Sequence, residues 1–375
     1  MKNTMRISVT LGLLAALVGC GRKDEKTSEP VTRSAEMKTK ATPAGNVAPE
    51  TKDAVKEADA DMRKVLEELQ RLGGKPIEAC SPEEARRQPT PADAVVSLLA
   101  KEARPTTPLE MAKVENKKIP GAAGPIDARV YTPRTDTKGP LPVIAYWHGG
   151  GFVIADLDVY DASPRALAKN AGAIVVSLDY RRAPEHKFPA AHDDAFAGYK
   201  WVTANAASFG GDPKRIAVAG ESAGGNLAMH VAIMARDKAA PMPVHELLVY
   251  PVAQTSMSTK SYQDWQFAKP LDKAMMSWFV THYTRTPDDT KDTRIDLVHA
   301  KLTGLPKTTI ITAEIDPLKS DSDMLKQALE DAKVDVEQKT YQGVTHEFFG
   351  MGAYVADAKE AEGYAGDRLK SALAK

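Results

Sequence analysis

Residues 215–225 read RIAVAGESAGG, an apolar run that leads into the pattern Gly-x-Ser-x-Gly at residues 220–224. When a strand, such a turn and a helix follow one another, the serine hydroxyl is exposed at the carboxyl edge of a sheet, and the glycines let strand and helix approach closely. Because a strand-like run precedes Ser222 and a helical one follows it, we predict that Ser222 is a nucleophile. A passive serine in a glycine-rich loop is the alternative.

Strand-like and helix-like segments alternate on both sides of this turn. Residues 174–176 and 309–311 are nearly continuous apolar runs, as expected for strands covered by helices on both faces. The alternation predicts an α/β fold with a mainly parallel, doubly wound sheet. The predicted strands are 127–131, 142–147, 173–178, 215–219, 247–252, 308–312 and 336–341, and the predicted helices include 190–206, 223–236 and 321–331.

A second motif, HGGGF at residues 148–152, directly follows the strand predicted at 142–147. Acyl transfer places negative charge on a carbonyl oxygen, and preorganised backbone N–H groups stabilise it. We predict Gly149, Gly150 and Ala223 as the donors of such an oxyanion hole. A phosphate loop is disfavoured, because no Lys-Ser/Thr pair follows and the Gly-x-Gly-x-x-Gly spacing is missing. Phe152, beside this loop, is expected to contact substrate.

The acid and the base are predicted from chain order, which on this fold runs serine, acid, histidine. Asp316 leaves the strand predicted at 308–312, whereas Glu314 is expected to lie within or beside the end of that strand. Of the eight histidines, only His346 follows this acid, and it comes after the strand at 336–341. The sequence therefore predicts a triad of Ser222, His346 and Asp316. In it the imidazole takes the serine proton and the carboxylate fixes the tautomer of the imidazole.

Composition argues against several classes of protein. The 50 basic and 50 acidic residues balance, and no Lys/Arg block of the kind that binds nucleic acid is present. With only two cysteines, Cys20 and Cys80, neither a disulfide framework nor a cysteine metal cluster can form. We expect Cys80 to be a buried, inert thiol. No metal or other cofactor is expected.

The first residues are interpreted as a targeting segment, 1–19. A positively charged start precedes the apolar run 7–18, which is too short to span a bilayer. The ending LVGC at 17–20 resembles a bacterial lipobox, which implies lipid attachment to Cys20; an ordinary secretory signal is the alternative. Residues 20–57 contain almost no large apolar side chains, and we predict that they form a disordered tether. We therefore expect a lipid-anchored protein of the bacterial cell envelope, in the outer membrane and facing the periplasm.

Taken together, the motifs resemble those of the hormone-sensitive-lipase-type family of bacterial esterases. The matching segments, in the family's order across roughly residues 60–375, are HGGGF at 148–152, DYRRAPEH at 179–186, FPAA at 188–191, GESAGG at 220–225 and DPL at 316–318. The resemblance implies an α/β-hydrolase fold over residues 58–375, with cap helices at 58–105 and a lid insert at 254–300. It also implies activity on short- to medium-chain acyl esters without a cofactor.

Two positions depart from the family pattern. KSDS at 319–322 follows DPL, where a basic residue, acidic residues and glycine are usual, and Glu347 follows His346, where glycine is usual. A carboxylate beside the base can shift the pKa of that base or reshape the rim of the pocket.

We predict a serine carboxylesterase that acts on a small-molecule ester through an acyl-enzyme intermediate. A polysaccharide (xylan-type) acetyl esterase and a non-catalytic lipid-anchored binding module are the alternatives.

Overall fold

Eight strands form one sheet in the computed structural model, which describes residues 52–374. Their order is β1-β2-β4-β3-β5-β6-β7-β8, and all neighbours from β4 to β8 run parallel, whereas β1–β2 and β2–β4 are antiparallel. The predicted mainly parallel sheet is therefore confirmed. The strands are β1 (Lys113–Pro120), β2 (Pro125–Thr132), β3 (Leu141–Trp147), β4 (Ile174–Leu178), β5 (Gly211–Glu221), β6 (Glu246–Val249), β7 (Thr308–Ile315) and β8 (Val336–Thr345).

Helices cover both faces of this sheet. The α-helices of the described residues are α1 (Ala54–Glu57), α2 (Ala60–Arg71), α3 (Pro82–Ala85), α4 (Pro91–Lys101), α5 (Ala162–Ala171), α6 (Ala190–Asn205), α7 (Ala223–Asp237), α8 (Lys260–Asp264), α9 (Lys273–Tyr283), α10 (Lys319–Asp331) and α11 (Ala356–Leu373). Helices α6, α7 and α10 bury apolar side chains in the core on one face, and α5 and α11 do so on the other. A sheet enclosed in this way buries every residue of β4, which explains its continuous apolar sequence.

The N-terminal helices pack over the carboxyl end of the sheet. Met62 and Val65 of α2 are fully buried in the same core cluster as α5 and α11. Helix α4 begins with a capping box, in which the Thr90 hydroxyl accepts the N–H of Asp93 and the Asp93 carboxylate accepts the N–H of Thr90. These segments correspond to the predicted cap.

The boundary of the predicted tether differs from the structure. We predicted that the tether ends at residue 57, but Ala54–Glu57 already forms α1, and Ala54 is buried against the cap. The rest of the tether prediction, the targeting segment and Cys20 lie outside the described residues. None of the helices in residues 52–374 is both long and apolar enough to cross a membrane.

The segment predicted as a lid insert lies between β6 and β7 and contains α8 and α9. Asp272 caps α9 by accepting the N–H of Met275. Phe279 and Tyr283 of α9 are buried in the core. The Trp278 indole N–H donates to the carbonyl of Cys80 at 3.2 Å, so the insert and the cap contact each other directly. Cys80 itself is buried, as predicted.

Candidate active site

Ser222 occupies the sharp turn between β5 and α7, with φ 54° and ψ −117°. A non-glycine residue rarely adopts this positive φ, and here the Ser222 N–H is fixed by a 2.9 Å hydrogen bond to the carbonyl of Val249. The flanking glycines are required by close packing. A Cβ on Gly220 would lie 2.1 Å from the carbonyl oxygen of Gly224, and one on Gly224 would lie 2.0 Å from the carbonyl oxygen of Trp147.

The structure brings the three predicted triad residues together. His346 Nε2 lies 3.0 Å from Ser222 Oγ, and His346 Nδ1 lies 2.7 Å from Asp316 Oδ2. The other Asp316 oxygen accepts the N–H of Leu318 at 2.8 Å, which fixes the orientation of the carboxylate. All three side chains are buried. This chain of hydrogen bonds has the geometry in which an imidazole removes a proton from a serine hydroxyl.

Two opposing effects act on the basicity of His346. Burial lowers the pKa of its imidazole, but the charge of Asp316, the hydrogen bond to Asp316 and the charge of Glu347 together raise that pKa more. The net shift is upward from the ordinary value. The Tyr250 ring packs against the imidazole, with the ring centroids 4.4 Å apart.

The glycine loop after β3 lies against this triad. The N–H groups of Gly149, Gly150, Gly151 and Ala223 have no hydrogen-bond acceptor within residues 52–374. Gly150 and Gly151 have φ values of 94° and 58° and line the same cavity as Ser222, whereas Gly149 does not line it. A Cβ on Gly149 would instead lie 2.3 Å from the Tyr160 hydroxyl. The structure therefore adds Gly151, which the sequence analysis did not select, as a candidate oxyanion donor.

Side chains behind the loop hold it in place. The Tyr180 hydroxyl lies 3.1 Å and 3.0 Å from the carbonyl oxygens of His148 and Gly149, and the Tyr180 and His148 rings stack. His148 Nε2 in turn lies 3.2 Å from an Asp179 carboxylate oxygen. The DYRRAPEH segment at 179–186 therefore supports the glycine loop and does not reach the triad.

Ion pairs join the charged residues of this segment to their surroundings. Arg181 pairs with the fully buried Asp194 at 2.7 Å. Glu185 pairs with Arg86 at 2.7 Å, and the same guanidinium donates to the carbonyl of Ala183, so the cap is attached to this segment. The contacts of this segment therefore support the glycine loop and the cap.

Phe152 is not where the sequence analysis placed it. Its ring stacks on Tyr283 at 4.1 Å and on His192 at 5.6 Å within the core, and it is not among the residues that line the cavity. The positive φ of 64° at Phe152 turns its side chain away from Ser222 and into the core. The predicted substrate contact at Phe152 therefore needs correction.

A cavity of about 410 Å³ opens above Ser222 and His346. Its walls come from three parts of the chain: the cap, the glycine loop and the insert. The apolar lining includes Leu66 and Leu69 of α2 and Met275 and Phe279 of α9. These four residues could contact the substrate in the place that we had assigned to Phe152.

Two carboxyl groups lie near the triad: Glu221, to which we assigned no role from the sequence, and Glu347, the departure from the family pattern beside His346. The Glu221 carboxyl is fully buried and accepts the hydroxyls of Tyr146 and Tyr250 at 2.7 Å and 2.6 Å. Burial raises the pKa of Glu221 to about 7, although these hydrogen bonds and one with Ser163 oppose the shift. Glu347 lines the cavity itself, accepts the Tyr160 hydroxyl at 2.6 Å and lies 4.0 Å from His346 Nε2.

Within residues 52–374, no group of three or more histidine, cysteine, aspartate or glutamate side chains is arranged to hold a metal ion.

Comparison with known proteins gives consistent matches. A family model described as the α/β-hydrolase fold matches residues 144–350, more than half of the chain. Carboxylesterase NlhH of Mycobacterium tuberculosis is 41% identical over 252 residues, which cover 66% of this chain and 79% of that protein. An ethyl acetate hydrolase of Pseudomonas putida is 32% identical over 300 residues, covering 79% of this chain and 92% of that protein.

Solved structures agree with these matches. An esterase of Pyrobaculum calidifontis superimposes with a TM-score of 0.73 at 37% identity, covering 81% of this chain and 97% of that one. The resemblance to hormone-sensitive-lipase-type esterases that the motifs predicted is therefore confirmed, and the chain belongs to the α/β-hydrolase family.

Proposed function

We propose that the protein is a serine carboxylesterase that hydrolyses short- to medium-chain acyl esters through Ser222, His346 and Asp316. The observation that carries this proposal is the chain of hydrogen bonds from Ser222 Oγ through His346 to Asp316 at the base of an apolar cavity. The names of the relatives, a carboxylesterase and an ethyl acetate hydrolase, support the same reaction class.

In the first half of the proposed reaction, Ser222 Oγ attacks the ester carbonyl carbon while His346 Nε2 takes the hydroxyl proton. Asp316 accepts the Nδ1–H of the imidazole and stabilises the imidazolium that forms. The oxyanion receives hydrogen bonds from the free N–H groups of the glycine loop and of Ala223. The tetrahedral intermediate then collapses, and the alcohol leaves with the proton held at Nε2.

In the second half, water attacks the acyl-serine. His346 Nε2 takes a proton from this water, and the same backbone N–H groups stabilise the second oxyanion. Collapse breaks the bond between the acyl carbon and Ser222 Oγ, which recovers its proton from the imidazolium. The enzyme returns to its starting state with the carboxylic acid released.

The expected acyl length follows from the cavity. A volume of about 410 Å³ that is also shared with the alcohol leaves room for an acyl chain of modest length. The apolar side chains of α2 and α9 favour a hydrocarbon chain over a polar one.

A panel of p-nitrophenyl esters from acetate to laurate tests this function. We expect kcat/KM to be highest for butyrate or hexanoate and to fall for the longer chains. A fluorophosphonate probe should label the protein on the peptide that contains Ser222. A folded protein that neither labels nor hydrolyses any ester would favour the binding-module alternative. A higher kcat/KM on acetylated xylan than on p-nitrophenyl acetate would favour the polysaccharide alternative.

We also propose that the enzyme acts at the bacterial cell envelope, attached through a lipid on Cys20 and facing the periplasm from the outer membrane. The LVGC sequence at residues 17–20 and the apolar run before it support this location. A lipid on this cysteine would hold the enzyme at the membrane surface without spanning it.

Replacing Glu347 by glutamine is expected to move the acidic limb of the pH profile of kcat/KM to lower pH. His346 must be neutral to act as the base, and the Glu347 carboxylate, 4.0 Å from Nε2, stabilises the protonated imidazolium. Removing this charge lowers the pKa of His346, so the neutral form persists at lower pH. The measurement is kcat/KM for p-nitrophenyl butyrate as a function of pH.

Glu67→Gln serves as the control for this experiment, because Glu67 is exposed and does not line the cavity. Its acidic limb should coincide with that of the wild type. An unchanged limb for Glu347→Gln would show that the carboxylate does not act on the base.

A further inference from the structure

Charges are unevenly compensated around the catalytic cavity. Three basic side chains line it, and each already forms an ion pair with a carboxylate outside the lining. These pairs are Lys75 with Glu84 at 3.4 Å, Arg86 with Glu185 at 2.7 Å, and Lys269 with Asp272 at 2.7 Å. The positive charges of the lining are therefore neutralised locally.

The two acidic residues of the lining, Glu78 and Glu347, have no lysine or arginine partner within residues 52–374. Of the two, Glu347 lies closer to the catalytic residues, because it is next to His346. Its hydrogen-bond donor is the neutral hydroxyl of Tyr160. The uncompensated charge of the cavity is therefore negative, and part of it lies next to the reacting atoms.

The backbone at Glu347 adds a second observation. Its φ of 70° lies in the left-handed region, which a residue with a Cβ rarely adopts and which glycine adopts without strain. A glutamate is therefore less stable here than a glycine would be. Strained residues of this kind concentrate at active sites and ligand-binding positions. The local fold therefore does not explain why a glutamate occupies the position.

The location of Glu347 indicates which part of an ester it would face. His346 Nε2 delivers the proton to the leaving alcohol, so the alcohol oxygen must come within about 3 Å of that atom. Glu347 Oε1 is 4.0 Å from the same atom. A positive group only a few bonds from the ester oxygen on the alcohol side can therefore reach the carboxylate. The rings of Tyr160 and Phe279 also line the cavity and can contact a cation through their faces.

We propose that the enzyme prefers esters whose leaving alcohol carries an ammonium group, and that Glu347 is the residue that selects it. The proposal rests on the esterase function proposed above and adds the class of alcohol. The Glu347 side chain is partly buried, and a partly buried carboxylate attracts a cation more strongly than one in bulk solvent does. A neutral alcohol of the same shape would lack this attraction.

The test compares two acetate esters of nearly the same shape, acetylcholine and 3,3-dimethylbutyl acetate, of which only the first is charged. For each enzyme variant the measured quantity is the ratio of kcat/KM for the charged ester to kcat/KM for the neutral one. Any effect of a substitution on His346 acts on both esters and divides out of this ratio. Glu347→Gln keeps the acceptor for the Tyr160 hydroxyl and removes only the charge.

We expect Glu347→Gln to lower the ratio about tenfold, whereas Glu67→Gln, with the same change in net charge outside the cavity, should leave it unchanged. As a second measurement, choline should inhibit hydrolysis of p-nitrophenyl acetate more strongly than 3,3-dimethylbutan-1-ol does, and Glu347→Gln should abolish the difference. An equal ratio in the wild type and in Glu347→Gln would overturn the proposal. If instead neither ester nor any p-nitrophenyl ester is hydrolysed, the esterase function itself has failed.

Discussion

Ser222→Ala is expected to lower kcat for p-nitrophenyl butyrate by about a millionfold, because no other group can take the place of the hydroxyl. Ser222 Oγ is the oxygen within hydrogen-bond distance of His346 Nε2, and its position is fixed by the turn between β5 and α7. Losing it removes the whole acyl-enzyme route. Only the slow direct attack of water, assisted by His346 and the backbone N–H groups, would remain.

The variant should remain folded. Alanine has the same Cβ as serine, so the cost of φ 54° at position 222 is unchanged, and the Ser222 N–H still donates to Val249. We therefore expect the thermal midpoint to shift by a few degrees at most. Fluorophosphonate labelling should disappear.

A matched control for Ser222→Ala is Ser163→Ala. Ser163 is also a buried serine, but it lies on α5 and does not line the cavity. This variant should keep kcat within about tenfold of the wild type and should still label. Turnover by Ser222→Ala within a hundredfold of the wild type would mean that a different residue is the nucleophile.

The sequence predicted the central part of the fold for a physical reason. Strands β3, β4, β5 and β7 are enclosed on both faces, so each contains a mainly apolar run that is easily recognised, at 143–147, 174–176, 216–219 and 309–311. Strand β1 was not predicted, because it lies at the edge of the sheet and carries Lys113, Glu115 and Lys117. Charged residues at an edge protect it from pairing with other chains, but they also conceal the alternating pattern.

The triad could be predicted because it depends on chain order, and chain order is visible in the sequence. Which glycines of the loop line the cavity could not be predicted, because this depends on how the loop turns after β3. Tyr180 and His148 hold that loop so that Gly151, and not Gly149, lines the cavity. The same turn directs Phe152 towards Tyr283. The sequence shows that the loop contains three glycines, but it does not show which of them line the cavity.

The contacts around His346 likewise depend on the tertiary structure. The hydroxyls that Glu221 accepts come from Tyr146 on β3 and from Tyr250 directly after β6, and Tyr250 also packs on His346. These residues are far apart in the chain, so no local motif connects them. Glu347 did give a sequence signal, as a departure from the family pattern. Only the structure shows that its carboxylate lies in the cavity.

Replacement of His346 tests the base separately from the fold. His346→Ala is expected to lower kcat by about a millionfold, like the loss of the nucleophile, since the two groups act as one unit. It should also lower the free energy of unfolding by about 1–3 kcal/mol, because the fully buried Asp316 loses its 2.7 Å hydrogen bond to Nδ1. A loss of activity in this variant alone could therefore be attributed to damage to the structure.

His346→Asn resolves this ambiguity. The side-chain amide nitrogen of asparagine can take the place of Nδ1 and donate to Asp316, but asparagine has no atom at the position of Nε2, 3.0 Å from Ser222 Oγ. We expect a thermal midpoint closer to the wild type than that of His346→Ala, with the same loss of kcat. If both variants are inactive and only the alanine variant is destabilised, the loss of activity belongs to Nε2, the atom that moves the proton. Activity of His346→Asn within tenfold of the wild type would show that another group is the base.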